Sequence, residues 1–210
     1  MNPWSALVEA LQHLIEIVGQ AMGGSLGAGI LVVTLALRIL LIPILLPLAA
    51  RSRDRTRVYE AMKPDLKALK TQFAKEPDRL DRETSELHKR NGIKLVDTAG
   101  LWAALIQLPV LIAMFQAVLH ISEGTSLAGN GWLPGLFAAA ASMASIRIAG
   151  QAQKPVALAL VGILPIAISI WLGAGIALYL IAFYAGSTLQ AVLMRRIPVH
   201  TPERLADAAG

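Results

Sequence analysis

Residues 26–48 read LGAGILVVTLALRILLIPILLPL, an apolar run interrupted by one basic residue, Arg38, and by two prolines, Pro43 and Pro47. As a helix the run measures about 34 Å, enough to cross the hydrocarbon core of a bilayer. A span with an arginine well away from both ends is costly, about 2.5–3.5 kcal/mol on insertion scales. Snorkelling relieves that cost only close to a helix end. Thr34 lies one turn before Arg38 on the same helix face, and each proline frees a backbone carbonyl that needs another partner. Together these features predict a polar, hydrated cavity lined by Arg38, Thr34 and polar groups from other spans.

The rest of the chain is consistent with a membrane setting. Hydrophobic residues make up 55% of the 210, above the roughly 45–50% of a soluble domain. The excess sits in blocks. Apolar runs at 99–120, 132–149, 155–172 and 175–194 follow the first one, so an all-α polytopic protein with five transmembrane helices is expected. There is no cysteine, which excludes disulfides, thiolate metal sites and a lipid-bearing cysteine. The N-terminus has neither a basic n-region nor a short apolar h-region with a cleavage site, so no cleavable signal peptide is expected.

Residues 1–25 are read as a separate element. Trp4, Leu7, Val8, Leu11, Leu14, Ile15 and Val18 fall on one helix face, and Ser5, Glu9, Gln12, His13, Glu16 and Gln20 on the other. That division predicts an amphipathic helix lying in the membrane interface. The alternative is the same helix packed on the protein itself.

Charge placement sets an expected orientation. Of nineteen Lys and Arg, thirteen lie between Arg51 and Lys94; Arg147 and Lys154 flank a short gap, and Arg195, Arg196 and Arg204 follow the last run. If 49–98 is cytoplasmic, every basic residue but Arg38 falls inside, as the positive-inside rule requires. The N-terminus is then outside, and the tail at 197–210 is cytoplasmic. Trp4, Trp102, Trp132 and Trp171 all fall near expected membrane boundaries, where indoles prefer to sit. The 49–98 stretch itself reads as a helical hairpin. Met62, Leu66, Leu69 and Phe73 form one apolar stripe, Glu76-Pro77-Asp78 marks the turn, and Leu80, Thr84 and Leu87 form a weaker second stripe ended by Asn91-Gly92.

Catalytic chemistry has little to stand on. His13, His88, His120 and His200 lie far apart, and none of the five apolar runs contains an Asp or Glu. Metal-ligand spacing, nucleophile motifs and a phosphate-cradling glycine loop are all missing from the sequence. No enzyme activity, metal or cofactor is expected. The mixed charges of 49–98 and its near lack of aromatics argue against nucleic acid. A small-molecule transporter should show an internal repeat with midplane ion ligands, and a purely structural partner has no need of Arg38.

Several motifs then agree in order. TLALRILLIPI (34–44) resembles the arginine-bearing first core span of the YidC/Oxa/Alb membrane insertases, with Thr four residues before Arg and Pro five after. MKPDLKALKTQF (62–73) resembles their cytoplasmic hairpin, and LHKRNG with LIQLPVLIAMF (87–92, 105–115) the approach to the next core span. Leu-Pro at 133–134 and 164–165 and GAGIALYLIAFYAGSTLQ (173–190) are similar to the last three spans. Departures fall at Lys94 and Leu95, where the family has Asn-Pro, at Ala103 in place of a proline, and at Leu180 in place of a second tyrosine. The resemblance implies an insertase that brings newly made membrane proteins into the bilayer through a hydrophilic groove, without ATP. It implies Arg38 as the groove cation, Thr34 as its neighbour, Gln107 and Gln190 as groove or packing positions, and Tyr179 as part of the last-span motif. The partners implied are nascent membrane proteins and lipid, with the ribosome and the Sec translocon as further candidates, in the bacterial inner membrane; five spans with small-residue faces are expected to close into a monomer.

Overall fold

The computed structural model describes residues 2–92, 98–149 and 155–197. The departures at Lys94 and Leu95, and Lys154, His200 and Arg204, lie outside the described residues. Seven α-helices account for nearly all of the rest: α1 (Pro3–Ala21), α2 (Leu26–Gln72), α3 (Pro77–Arg90), α4 (Thr98–Ser122), α5 (Trp132–Ala149), α6 (Pro155–Leu172) and α7 (Ala174–Arg196). A short 3₁₀ turn covers Ser126–Ala128, and no strand occurs among the described residues. The chain is an all-α protein, and α2, α4, α5 and α7 are long and apolar enough to cross a membrane. Leu158–Leu172, within α6, forms a shorter apolar helix. The bounds of α4 to α7 fall close to those expected from the apolar runs.

One departure from expectation concerns α2. It does not end with its apolar run but continues as one helix from Leu26 to Gln72, through Pro43, Pro47 and Pro64. Between Leu48 and Met62 no Gly or Pro interrupts it, and its Arg, Ala and Glu residues favour helix.

Two compact units are distinguished, one formed by residues 1–44 and 106–195, the other by 45–105 and 196–210. In the first, α1 starts on an Asn2 cap whose Oδ1 accepts from the Trp4 N–H at 3.1 Å, with Pro3 at the first helical position. It ends at Gly23 and Gly24, both with positive φ (78° and 83°). The helix has three faces rather than two. Val8, Leu11 and Ile15 are buried in a core with Ile30, Val33, Met114, Val118 and Ile176. Leu7, Leu14 and Ile17 form a second apolar stripe that stays exposed, and Glu9, His13, Glu16 and Gln20 make an exposed polar face. Two polar contacts fasten α1 to α4. Trp4 Nε1–H donates to Gln116 Oε1 at 2.8 Å, and Gln12 Nε2 lies 3.0 Å from His120 Nδ1.

Small residues let the helices approach. A Cβ on Gly29 would run into the Ile15 carbonyl and lie 3.0 Å from the Gly19 nitrogen, so α1 and α2 touch backbone to backbone. Helices α5 and α6 form an antiparallel pair, joined where the Ser142 hydroxyl reaches the Val161 carbonyl at 3.0 Å.

The second unit holds the polar half of α2 and all of α3. Val58, Met62 and Leu66 are buried, with Leu87 packed on them. The stripe therefore begins one turn earlier than the sequence reading placed it, and Leu69 and Phe73 are only half-buried. His88 is also buried, its Nδ1 2.6 Å from the Thr84 carbonyl and its ring 6.2 Å from that of Tyr59. Helix α3 starts at Pro77 and carries Lys89 and Arg90 in its last turn, where they complement the helix dipole. Gly92, with φ 65°, follows.

Candidate functional site

Among the described residues, the first unit encloses one cation between its apolar helices. Arg38 is 7% exposed, and Thr34, one turn before it on α2, is 3% exposed. The Thr34 hydroxyl donates to the Ile30 carbonyl at 2.6 Å, satisfying itself within the helix.

Arg38 is held chiefly by α7. Its Nη2 donates to the Ser187 hydroxyl at 3.0 Å, and Ser187 in turn donates to the Phe183 carbonyl at 2.9 Å. The Arg38 Cζ lies over the Phe183 ring, 3.6 Å from its centroid, close enough for a cation–π contact. Gly186 completes the cradle. A Cβ there would stand 2.7 Å from the Arg38 Cβ and 2.9 Å from its Cγ, so the arginine stem lies in the notch the glycine leaves. Residues 183, 186 and 187 share one face of α7 through helical spacing, and each supports a different part of one side chain. No carboxylate pairs with Arg38 among the described residues, and its Nε is buried with no hydrogen-bond partner. Such a donor is costly to leave unsatisfied.

Beside the guanidinium is a small cavity of about 20 Å³, bordered by Thr34, Arg38, Gln107, Met114, Tyr179 and Phe183 along with several aliphatic side chains. That is room for about one water. The polar, hydrated cavity expected from the sequence has the expected residues at its wall, yet it is small and most of its lining is apolar. Of the five site residues named from the sequence, Arg38, Thr34, Gln107 and Tyr179 come together here. Gln190 does not border the cavity; it is half-buried further along α7. Tyr179 is 3% exposed, and its hydroxyl reaches the Leu111 carbonyl at 3.4 Å, a long hydrogen bond. Its ring lies 6.4 Å from Phe115, edge-on, and 6.0 Å from Phe183, which meets Tyr184 edge-on at 5.5 Å. The aromatic rank keeps the Phe183 ring in place.

The sequence reading missed Phe183 and Gly186. Ser187 stands out in the sequence as a polar residue in a span, but nothing marks an aromatic in an apolar helix. Spacing was the one available signal: Phe183 lies one turn beyond Tyr179, and Gly186 and Ser187 two turns beyond it, on the same side of α7. Elsewhere, no group of three or more His, Asp or Glu suited to a metal occurs among the described residues.

Comparison with known proteins bears on the whole chain. The family model described as 60Kd inner membrane protein matches residues 17–201. The membrane protein insertase YidC 1 of Halalkalibacterium halodurans is 31% identical over 123 residues, 57% of this chain and 46% of that protein. The membrane protein insertase MisCA of Bacillus subtilis is 28% identical over 128 residues, 58% and 47% of the two chains. A membrane protein insertase YidC of Enterococcus faecalis is 35% identical over 107 residues, 49% and 37% of the two chains. These alignments span about half the length of the curated relatives or less. The family match is broader on this chain: it runs from the end of α1 through α7 and takes in Arg38 and its cradle, so the chain belongs to the 60Kd inner membrane protein family, that of the YidC-type membrane insertases.

Proposed function

We propose that this chain is an insertase, which helps newly made membrane proteins enter the bilayer and fold there without hydrolysing ATP. One observation carries the reading: Arg38 is buried among apolar helices, its partners are a hydroxyl and an aromatic ring, and no carboxylate pairs with it among the described residues. A guest segment bearing acidic residues supplies the missing carboxylate. An arginine suits that task because it keeps its charge and pairs with a carboxylate through two parallel hydrogen bonds. Thr34, Gln107 and Tyr179, around the cavity, are the proposed neighbours of the guest, and Gln190 a groove or packing position further along α7. The cavity beside Arg38 has room for about one water. Burial of about 20 apolar residues of the guest then drives the step downhill.

The proposed setting is the bacterial inner membrane, with the N-terminus outside and the C-terminus in the cytoplasm. The distribution of Lys and Arg supports that orientation. The three faces of α1 suit a helix at the outer interface. One face meets the bundle, the Leu7–Leu14–Ile17 stripe suits lipid, and the polar face suits water. The hairpin at 49–98 is the proposed cytoplasmic element that meets substrates or targeting factors. The ribosome and the Sec translocon are candidate partners, and the chain acts as a monomer.

The test is complementation. In a bacterium depleted of its own insertase, this chain restores insertion of a small single-span protein with an acidic outer tail. Arg38→Glu fails with that substrate and recovers when the tail's acidic residues are made basic. Full activity of Arg38→Ala on acidic-tailed and neutral-tailed substrates alike would overturn the charge-attraction mechanism.

A further inference from the structure

We infer that Phe183 is a positioning residue for Arg38: its ring fixes the guanidinium at the cavity, where an acidic guest meets it. The inference rests on the function proposed above only for the guest, and its structural half stands alone.

An arginine side chain in an apolar bundle has many rotamers, and the favoured ones carry the charge toward water. Three contacts oppose that here. Gly186 admits the stem, the Ser187 hydroxyl accepts a hydrogen bond from Nη2, and the Phe183 ring covers the guanidinium at 3.6 Å. Among the three, the ring alone acts on the charge through the face of the guanidinium rather than its edge. It leaves the remaining N–H donors free for a carboxylate, which binds in the guanidinium plane. Ser187, by contrast, occupies one of those donors. The ring itself packs against two others, 6.0 Å from Tyr179 and 5.5 Å from Tyr184. Phe183 therefore holds the cation in place without competing with an anion for it.

The experiment uses the full chain reconstituted in lipid vesicles, with Phe183→Leu and Phe183→Trp. The first keeps an apolar side chain and removes the ring, and the second keeps a ring face. The first readout is the rate at which phenylglyoxal modifies Arg38, followed by mass spectrometry of its peptide. A cation–π contact in a desolvated setting corresponds to about threefold to thirtyfold in an equilibrium. Phe183→Leu is expected to speed modification of Arg38 by about that factor, and Phe183→Trp to return it to the wild-type rate. The second readout is the ratio of acidic-tailed to neutral-tailed insertion in depleted cells, expected to fall in Phe183→Leu and recover in Phe183→Trp. A purely structural role lowers both substrates together and leaves the ratio alone. Should Phe183→Leu not accumulate as a folded protein, Phe183→Met takes its place.

A modification rate that is the same in Phe183→Leu and wild type, or one that Phe183→Trp does not restore, overturns the inference. If the rate follows the ring while the insertion ratio stays fixed, Phe183 does hold Arg38 but the guest does not use it. In that case the fault lies with the charge-attraction reading, and Arg38→Ala is then silent as well.

Discussion

Arg38 in the bundle and the cations of the α2–α3 pair are charged groups in opposite surroundings. Around Arg38 the protein supplies a ring face, a hydroxyl and a glycine notch, and leaves 7% of the residue exposed. On the helical pair, Lys63 meets Glu60 at 2.6 Å, Arg79 meets Glu76 at 3.2 Å and Arg90 meets Glu86 at 3.3 Å, all with side chains more than half exposed. The exposed cations have acids within one helical turn and water all around. Arg38 is buried and has no acid beside it among the described residues. Exposed pairs of this kind contribute about 0.2–1 kcal/mol, so they tune solubility and helix stability and little else. A buried cation without a counter-charge has a real cost, and a protein that retains one is paying for something other than stability.

The comparison breaks first at Arg38. Arg38→Glu should lower insertion of an acidic-tailed substrate by about tenfold to a hundredfold, the range of a lost charge-assisted pair, as read by protease protection of the substrate tail. Arg38→Lys should fall between wild type and Arg38→Ala, because an ammonium keeps the charge but neither stacks as well nor forks onto a carboxylate. The second break concerns the other unit, whose stability depends on a small apolar core rather than on its charges. Met62 is 3% exposed and sits with Val58, Leu66 and Leu87. Met62→Ala should destabilise the α2–α3 pair by about 2–3 kcal/mol, the low end for a buried methionine in so small a core. Hydrogen exchange checks it: amides of α3 lose protection while those around Tyr179 on α7 keep theirs.

How legible each unit was in the sequence follows from the same contrast. Apolar blocks and their punctuation gave the helices of the bundle within a few residues, because length and hydropathy suffice to mark a span. Arg38 was visible as an anomaly for the same reason. Its cradle was not. The ring that holds it is one apolar residue among many on α7, and only the packing of α2 against α7 distinguishes Phe183 from Phe137, which is 62% exposed on α5. Helix α1 shows the same limit. Hydropathy placed Leu7 and Leu14 on one face with Val8, Leu11 and Ile15, but burial divides them into a protein-facing set and an exposed set. Periodicity separates polar from apolar; it does not separate lipid from protein. The continuation of α2 to Gln72 was hidden by the change of solvent signal after Leu48. An apolar run ended there, and nothing in the backbone preferences required the helix to end with it.

A finer test compares single partners of cations in the two units. Ser187→Ala removes the hydroxyl that accepts from Arg38 at 3.0 Å and is expected to cost about 1.5 kcal/mol, the lower range for a hydrogen bond to a charged group. Thermal melting in detergent reads the loss, and the Phe183 ring limits it by keeping the guanidinium in place. Glu60→Ala removes a partner at shorter range, 2.6 Å from Lys63. Distance alone would make it the more damaging change. Water decides otherwise: both side chains are more than half exposed, and the freed lysine is solvated at once. The expected loss is about 0.5 kcal/mol or less, shrinking further as salt rises toward 1 M. A Glu60→Ala protein that melts lower than Ser187→Ala would mean that the helical pair depends on its surface charges, and that solvent exposure does not divide the two units.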